Sequence, residues 1–236
     1  MNITNELKKV LNKYNIKSDD KIVENIDNFN NLMLEYNKTH NLTSITEKNE
    51  IIYKHYLDSL LGLNLIENNS KVIDLGCGGG FPSIPLKIAN NTLNFTAVDS
   101  VGKKTKFVEY AKNQLNLDNF NVINSRIEDL AFKSEYREKY DIVVSRAVAS
   151  LPTIIEYSAP FLKNNGTIIC YKGINYLDEI KLSDNALKQL NCKIVDIKEY
   201  YIEEINQKRY FIIIKKFETI SNKYPRKQNK PRLQPL

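Results

Sequence analysis

Between Lys71 and Lys87 the chain reads KVIDLGCGGGFPSIPLK, a β-branched run that passes an acid, enters a glycine cluster and continues into prolines and apolar residues. Glycine tolerates positive φ and lets a ligand lie against bare backbone, so Gly76, Gly78 and Gly80 are candidate ligand-binding positions. A loop of this kind after a strand suits NAD, FAD or S-adenosylmethionine. Three details bear on the choice. The dinucleotide fingerprint G-x-G-x-x-G wants a third small residue where this chain has Phe81. Asp74, at the strand end, would repel a pyrophosphate and attract the ammonium of a methionyl group. Asp99 ends the next such run, NFTAVD, where a carboxylate can accept from both ribose hydroxyls of NAD or S-adenosylmethionine alike. Electrostatics therefore favours S-adenosylmethionine, with capping of the following turn as the alternative use of either acid. No lysine follows in the P-loop pattern.

Two later strand ends carry further candidates. After FNVINS comes RIEDL, in a loop that this topology sets beside the adenine, so Ile127 would cover its face and Glu128 or Asp129 would accept from its amino group. After YDIVVS comes Arg146, a poor core residue and a good partner for an anion or a nucleobase; the alternative is an ion pair with Glu128 or Asp129. Lys172, at the end of GTIICYK, is a candidate phosphate contact. Cys170 in that run reads as a small core residue, and His55, three residues before Asp58, as a structural hydrogen-bonding group.

The elements that must hold these residues are of two kinds. Up to about Ile66 the chain reads as three helices, over NELKKVLNKY after Thr4, over residues 19–40 after Ser18 and over residues 47–66 after Thr46. From Lys71 short β-branched runs alternate with helical stretches, which predicts an α/β fold with a mostly parallel sheet covered on both faces. The last two runs have no helix between them and should form an antiparallel pair at one edge. The expected division is a helical subdomain over 1–66, a ligand-binding domain over 67–217 and a basic tail over 218–236.

Composition narrows the class. Hydrophobic residues at 42% and charged residues at 26% over 236 positions fit a globular chain of one large domain. No segment has the apolar length of a membrane span, no leader is visible, and the three cysteines lack metal-ligand spacing, so the expectation is a cytoplasmic protein without a metal. The net charge of +6 is concentrated. Removing Lys223, Arg226, Lys227, Lys230 and Arg232 from the 34 basic residues leaves 29 against 28 acidic ones, so the excess sits in a proline-punctuated tail that reads either as an arm for a polyanion or as a solubilising, disordered end.

Together these residues resemble the RsmG (GidB) family of 16S rRNA guanine-N7 methyltransferases. YNKTHNLTSITEKNEIIYKHYLDSL, from Tyr36 to Leu60, is similar to the run that precedes the family's fold. VIDLGCGGGFPSIPL, DSVGKKTKF, SRIED, SRAVASL and YKG are similar to its successive core motifs, and KYPRK to its basic C-terminus. The resemblance implies a class I methyltransferase fold, Rossmann-like with seven strands and an N-terminal helical extension, and cofactor contacts at Gly76, Phe81, Ile127, Glu128 and Arg146. It further implies S-adenosylmethionine as cofactor, 16S rRNA of the small ribosomal subunit as partner, and RNA-facing residues at Asn41, Arg126, Arg146 and in the tail at Arg226 and Lys227. Departures are Ser83 for a usual glycine, Tyr36 for a common tryptophan, and QNKPRLQPL in place of Gly-Thr-Pro after the basic cluster. Nothing in the sequence demands more than a monomer.

Guanine N7 carries its own lone pair, so the chemistry implied needs no general base. The run after the fourth strand, SRAV, is unlike the [DN]-P-P-[YF] run of enzymes that methylate exocyclic amines. Arg146 is the expected catalytic residue, orienting the guanine through its O6 edge, with Glu128 or an RNA phosphate offsetting its charge.

Overall fold

The computed structural model describes residues 2–236, and among them a seven-stranded sheet runs in the order β3-β2-β1-β4-β5-β7-β6. Its strands are β1 (Lys71–Leu75), β2 (Asn94–Asp99), β3 (Phe120–Asn124), β4 (Tyr140–Arg146), β5 (Leu162–Lys172), β6 (Cys192–Ile202) and β7 (Gln207–Lys216). The first five are parallel; β7 pairs antiparallel with both β5 and β6, which puts the expected antiparallel pair at the edge. The order reverses between β2 and β4, on either side of β1, so the switch point lies at the glycine loop, where open α/β sheets bind ligands.

Helices α1 (Thr4–Lys13) and α2 (Asp20–His40) precede the sheet, followed by a helix of mixed geometry: α3 (Lys48–Glu50), a π-helical segment (Ile51–Leu57) and α4 (Asp58–Leu60). A short 3-10 turn (Leu63–Leu65) leads into β1. The remaining helices are α5 (Ser83–Ala89), α6 (Gly102–Gln114), α7 (Ile127–Leu130), α8 (Leu151–Ser158), α9 (Tyr176–Lys181), α10 (Asp184–Gln189) and α11 (Lys230–Leu233). Two helix starts differ from expectation. Asp19 caps α2, its Oδ1 accepting from the Ile22 amide at 2.8 Å, where Ser18 was the expected cap. Ile3 stands at the start of α1, with no side-chain cap, where Thr4 was expected. Between β5 and β6 the helical stretch is two short helices, α9 and α10, that meet at Ser183, whose buried hydroxyl bonds the Glu179 carbonyl at 2.7 Å.

The alternation of the buried strands divides the core between the two faces of the sheet. Val72, Phe95, Ile142, Val144, Ile169 and Phe211 face α2, the π-helical segment, α5 and α6, packing against Phe29, Tyr56 and Phe107. Ile73, Val98, Val143, Ile168, Cys170 and Ile212 face α8 and α10, packing against Leu151, Ile155 and Leu190. The apolar faces of α1, α2 and the π-helical segment belong to the same continuous cluster as the first face of the sheet. Cys170 is wholly buried and burial pushes its thiol up to about 12, which suits a core residue.

Candidate active site

Beyond the carboxyl ends of β1 to β4 lies a cavity of about 340 Å³. One wall is Gly76, backed by Ala147 and Val148 from the loop after β4. A second is Asp99, Ser100, Val101 and Lys104 around the start of α6. A third is Ser125 to Glu128, with Tyr157 of α8 behind it. The cavity gathers the ends of four strands that are consecutive in the sheet, so it depends on the parallel topology and on no single motif.

The glycines have different work. Gly76 has φ +81°, and a Cβ there would stand 2.5 Å from Val148 Cγ2, so a side chain would close the cavity wall. Gly78, at φ +56°, donates its amide to Asp99 Oδ2 at 3.0 Å. Gly80, at φ +89°, lets the chain turn into α5, where a Cβ would meet Ile84 Cδ1 at 2.6 Å. Only Gly76 of the three lines the cavity.

The carboxylates divide too. Asp99 faces the cavity while its Oδ1 accepts from the Val101 amide at 2.8 Å and its Oδ2 from Gly78. It thus caps the turn and presents a carboxylate to the cavity, each oxygen having a second lone pair. Glu128 is buried, and its Oε1 accepts from the Tyr157 hydroxyl at 3.3 Å. Burial, then the charge of Glu128, pushes the phenol of Tyr157 up to about 12, so it stays a donor. Asp74 departs from its expected place at the loop mouth. It is wholly buried in β1 between Ala97 and Val144, and both its oxygens lack a hydrogen bond of good geometry. Desolvation raises its carboxyl to about 7, tempered by the nearby Ser83 hydroxyl and amide and by the charge of Arg146.

Arg146 and Phe81 are also displaced from the cavity lining. Arg146 Nη1 bonds Asp58 Oδ2 at 2.8 Å and the carbonyls of Lys54 and His55 at 3.2 and 3.4 Å, and its guanidinium lies 5.4 Å from the Phe81 ring centroid. The partner is Asp58, where Glu128 or Asp129 was the alternative expected. Asp58 also accepts from Arg209 Nε at 3.0 Å, which makes it a shared anion for two cations. Phe81 is buried among Phe29, Tyr56 and the His55 imidazole, stacked on the last at 4.4 Å. Burial and the charge of Arg146 lower His55 to about 3, so the ring is neutral, and its Nε2 bonds Thr43 Oγ1 at 3.1 Å.

The expected RNA contacts fare unequally. Arg126, the residue before α7, is exposed at the cavity rim. Asn41 is exposed at the C-terminal end of α2 in the left-handed region, while the neighbouring Leu42 and Thr43 amides are held by Asn37 Oδ1 at 2.6 and 3.0 Å. Lys172 is largely buried, bonded to Glu179 at 2.6 Å and the Ala149 carbonyl at 2.9 Å, which corrects its reading as an available phosphate contact. Arg226 likewise is committed inward, its Nε and Nη2 gripping the fully buried Glu156 at 2.9 and 2.7 Å. Lys227 stays exposed, with its ammonium 4.8 Å from the Phe132 ring centroid. The tail is therefore a docked segment and not a free arm. Its Asn229 and Arg232 reach the cavity, and with Lys104, Tyr157 and Val148 they are the site residues that strand-end reasoning missed.

A glycine cradle at a switch point, an acid at the end of β2 and an apolar-acidic pair after β3 define a Rossmann-like fold of the class I methyltransferase type. Solved structures agree on the fold: a transferase from Pyrococcus horikoshii, described as putative, has a TM-score of 0.58 at 10% identity, covering 75% of this chain and 66% of its own. The TYW2 protein of M. jannaschii, solved with AdoMet, has 0.55 at 18%, covering 75% and 80%. The family model described as rRNA small subunit methyltransferase G matches residues 22–221, and the chain belongs to that family. A relative named ribosomal RNA small subunit methyltransferase G from Fusobacterium nucleatum is 44% identical over 97% of this chain and 98% of its own length. One of the same name from Acetivibrio thermocellus is 40% identical over 94% and 92%.

Among the described residues no group of three or more His, Cys, Asp and Glu side chains is arranged to hold a metal ion, and no helix is long and apolar enough to cross a membrane. The residues present do fit an adenosyl ligand. Gly76 offers bare backbone at the cavity wall, Asp99 offers a carboxylate to ribose, and Ile127 with Glu128 offers a face and an acceptor to adenine.

Proposed function

We propose that this protein transfers the methyl group of S-adenosylmethionine to N7 of a guanine in 16S ribosomal RNA. The observation that carries the reading is the single cavity where the Gly76 wall, Asp99 and Ile127–Glu128 converge, in a chain of the rRNA small subunit methyltransferase G family. When bound, the cofactor supplies an electrophilic methyl on a sulfonium. Asp99 would accept from its ribose, and Ile127 and Glu128 would hold its adenine. Tyr157, kept protonated, fixes the Glu128 carboxylate in place.

The nucleophile is the N7 lone pair, so no side chain has to remove a proton before the displacement, and catalysis rests on position and field. Arg146 is held outside the cavity lining by Asp58 and the Lys54 and His55 carbonyls, so reaching the O6 edge of the guanine would require its guanidinium to leave that ion pair. The purine gains positive charge as N7 is methylated, and Asp58 supplies the anion that keeps an arginine in its neighbourhood tolerable. Arg126 and Lys227, exposed at the rim and on the tail, would meet phosphates, so affinity should fall steeply with salt. The test is transfer of labelled methyl from S-adenosylmethionine to small subunits, and to deproteinised 16S rRNA, from cells lacking the enzyme. Label retained in 16S rRNA is expected; label in neither substrate, with cofactor binding intact, rejects RNA as the acceptor.

A further inference from the structure

The C-terminal segment was expected to reach for RNA, and it packs instead against the cavity. Four contacts seat it. Arg137 Nη1 donates to the Tyr224 carbonyl at 2.9 Å, and the Arg226 amide and side chain both bond the buried Glu156. Thr153 Oγ1 donates to the Pro231 carbonyl at 2.7 Å, and Arg232 Nη2 to the Val148 carbonyl at 2.5 Å. Glu156 sits on α8 with no exposure, so Arg226 is the counter-charge it requires, and the anchor is part of the fold. The family model ends at residue 221, before this anchor.

We propose that Arg232 is a cofactor-binding residue that pairs with the carboxylate of the methionyl arm, and that the docked tail exists to deliver it. The proposal rests on the cofactor assignment above. Arg232 lines the cavity and is bonded to Val148, the residue whose methyl carbon fills the space beside Gly76. Its guanidinium therefore stands at the Val148 carbonyl, on the loop that backs Gly76, and near enough to Tyr157 for its charge to act on that phenol, while Asp99, Ile127 and Glu128 make up the adenosine side. The adenosine of the cofactor is neutral and calls for acceptors and an apolar face, which those three residues offer. Its amino-acid arm ends in a carboxylate, and a guanidinium is the planar, permanently charged donor that matches one. Asp74, the acid expected near that arm, is sealed inside β1, so the arm's recognition falls to groups on the cavity surface.

The experiment is calorimetric titration of the full chain and Arg232→Gln with two ligands, S-adenosylhomocysteine and 5′-methylthioadenosine, which share the thioether adenosyl portion but differ in the amino-acid arm. Arg232 is exposed, so the variant should fold and melt as the parent does, which circular dichroism checks. The expected result is a loss of about tenfold to a hundredfold in affinity for S-adenosylhomocysteine, in line with one charge-assisted contact, and a change under about twofold for 5′-methylthioadenosine. Equal losses for both ligands, or none for either, overturn the assignment. So does unchanged S-adenosylhomocysteine binding with weakened 16S rRNA binding, which would make Arg232 an RNA contact. If the parent chain binds neither ligand, the cofactor reading itself fails, and that result is distinct from the others.

Discussion

Replacing Asp58 with alanine should be among the most damaging single changes outside the apolar core. The Asp58 side chain is 8% exposed and touches Arg146 and Arg209, whose side chains are 14% and 23% exposed. Removing one partner of a buried ion pair costs about 3–5 kcal/mol, because the remaining charge stays desolvated and unpaired. Here two cations are left facing each other, but both keep some contact with water, which discounts the figure to about 2–4 kcal/mol. For a chain of this length each kcal/mol moves the melting temperature by about 2–4 °C, so a fall of roughly 5–15 °C is expected. Urea unfolding gives the free energy, and scanning calorimetry the temperature. A double-mutant cycle with Arg209→Met sharpens the argument, since removing one of the two stranded cations should recover part of the loss. A change under about 0.5 kcal/mol, or strict additivity in the cycle, would show that the shared anion is a surface-like contact and refute the reasoning.

Three further outcomes follow from the geometry of the loop and from buried charge. Gly76→Ala places a Cβ against Val148 at φ +81° and should cost about 1–3 kcal/mol and weaken S-adenosylmethionine binding, whereas Gly78→Ala, with open space around its Cβ, should cost only about 1–2 kcal/mol for the left-handed backbone; calorimetry and urea unfolding distinguish them. Asp74 has its folded-state value raised from 3.8 to about 7, so its contribution to stability is present below pH 3.8 and is lost as pH rises to about 7. Asp74→Asn should therefore gain in melting temperature relative to the parent at pH 8 and lose that gain at pH 4; a pH-independent difference would contradict the burial argument. His55 runs the other way: its folded-state value is lowered to about 3, so stability falls as pH drops from 6.5 towards 3, and a parent-minus-His55→Gln comparison should show that slope.

Strand ends were readable because β-branched runs bounded by acids and glycines have few other structures open to them: β1 and β2 occupy the residues that KVIDL and NFTAVD span. Asp99, Ile127 and Glu128 followed once the runs were ordered, because a parallel sheet carries successive strand ends to one side. What escaped the sequence was pairing at long range. Arg146 was recognisable as a misplaced charge, but its partner Asp58 lies 88 residues earlier on a helix assigned to a separate subdomain. Asp74 was legible as an acid at the glycine loop, while its complete burial depends on neighbours from β2 and β4. The tail misled for a related reason. Its composition is that of a solvated basic arm, and the feature that docks it is a glutamate buried in the apolar helix LPTIIEYS, 70 residues before Arg226. Glu156 inside that run was the available signal, since a carboxylate on a buried face needs a cation from elsewhere.

The atom that receives the methyl group is the most direct test of the account. Small subunits from cells lacking the enzyme, incubated with this protein and S-adenosylmethionine, give rRNA that can be reduced and treated with aniline, which cleaves the chain at N7-methylguanosine. The account predicts one new break, at a guanine of 16S rRNA, absent when the protein is omitted. Label incorporated into 16S rRNA without any aniline-sensitive site would place the methyl on another atom and contradict it.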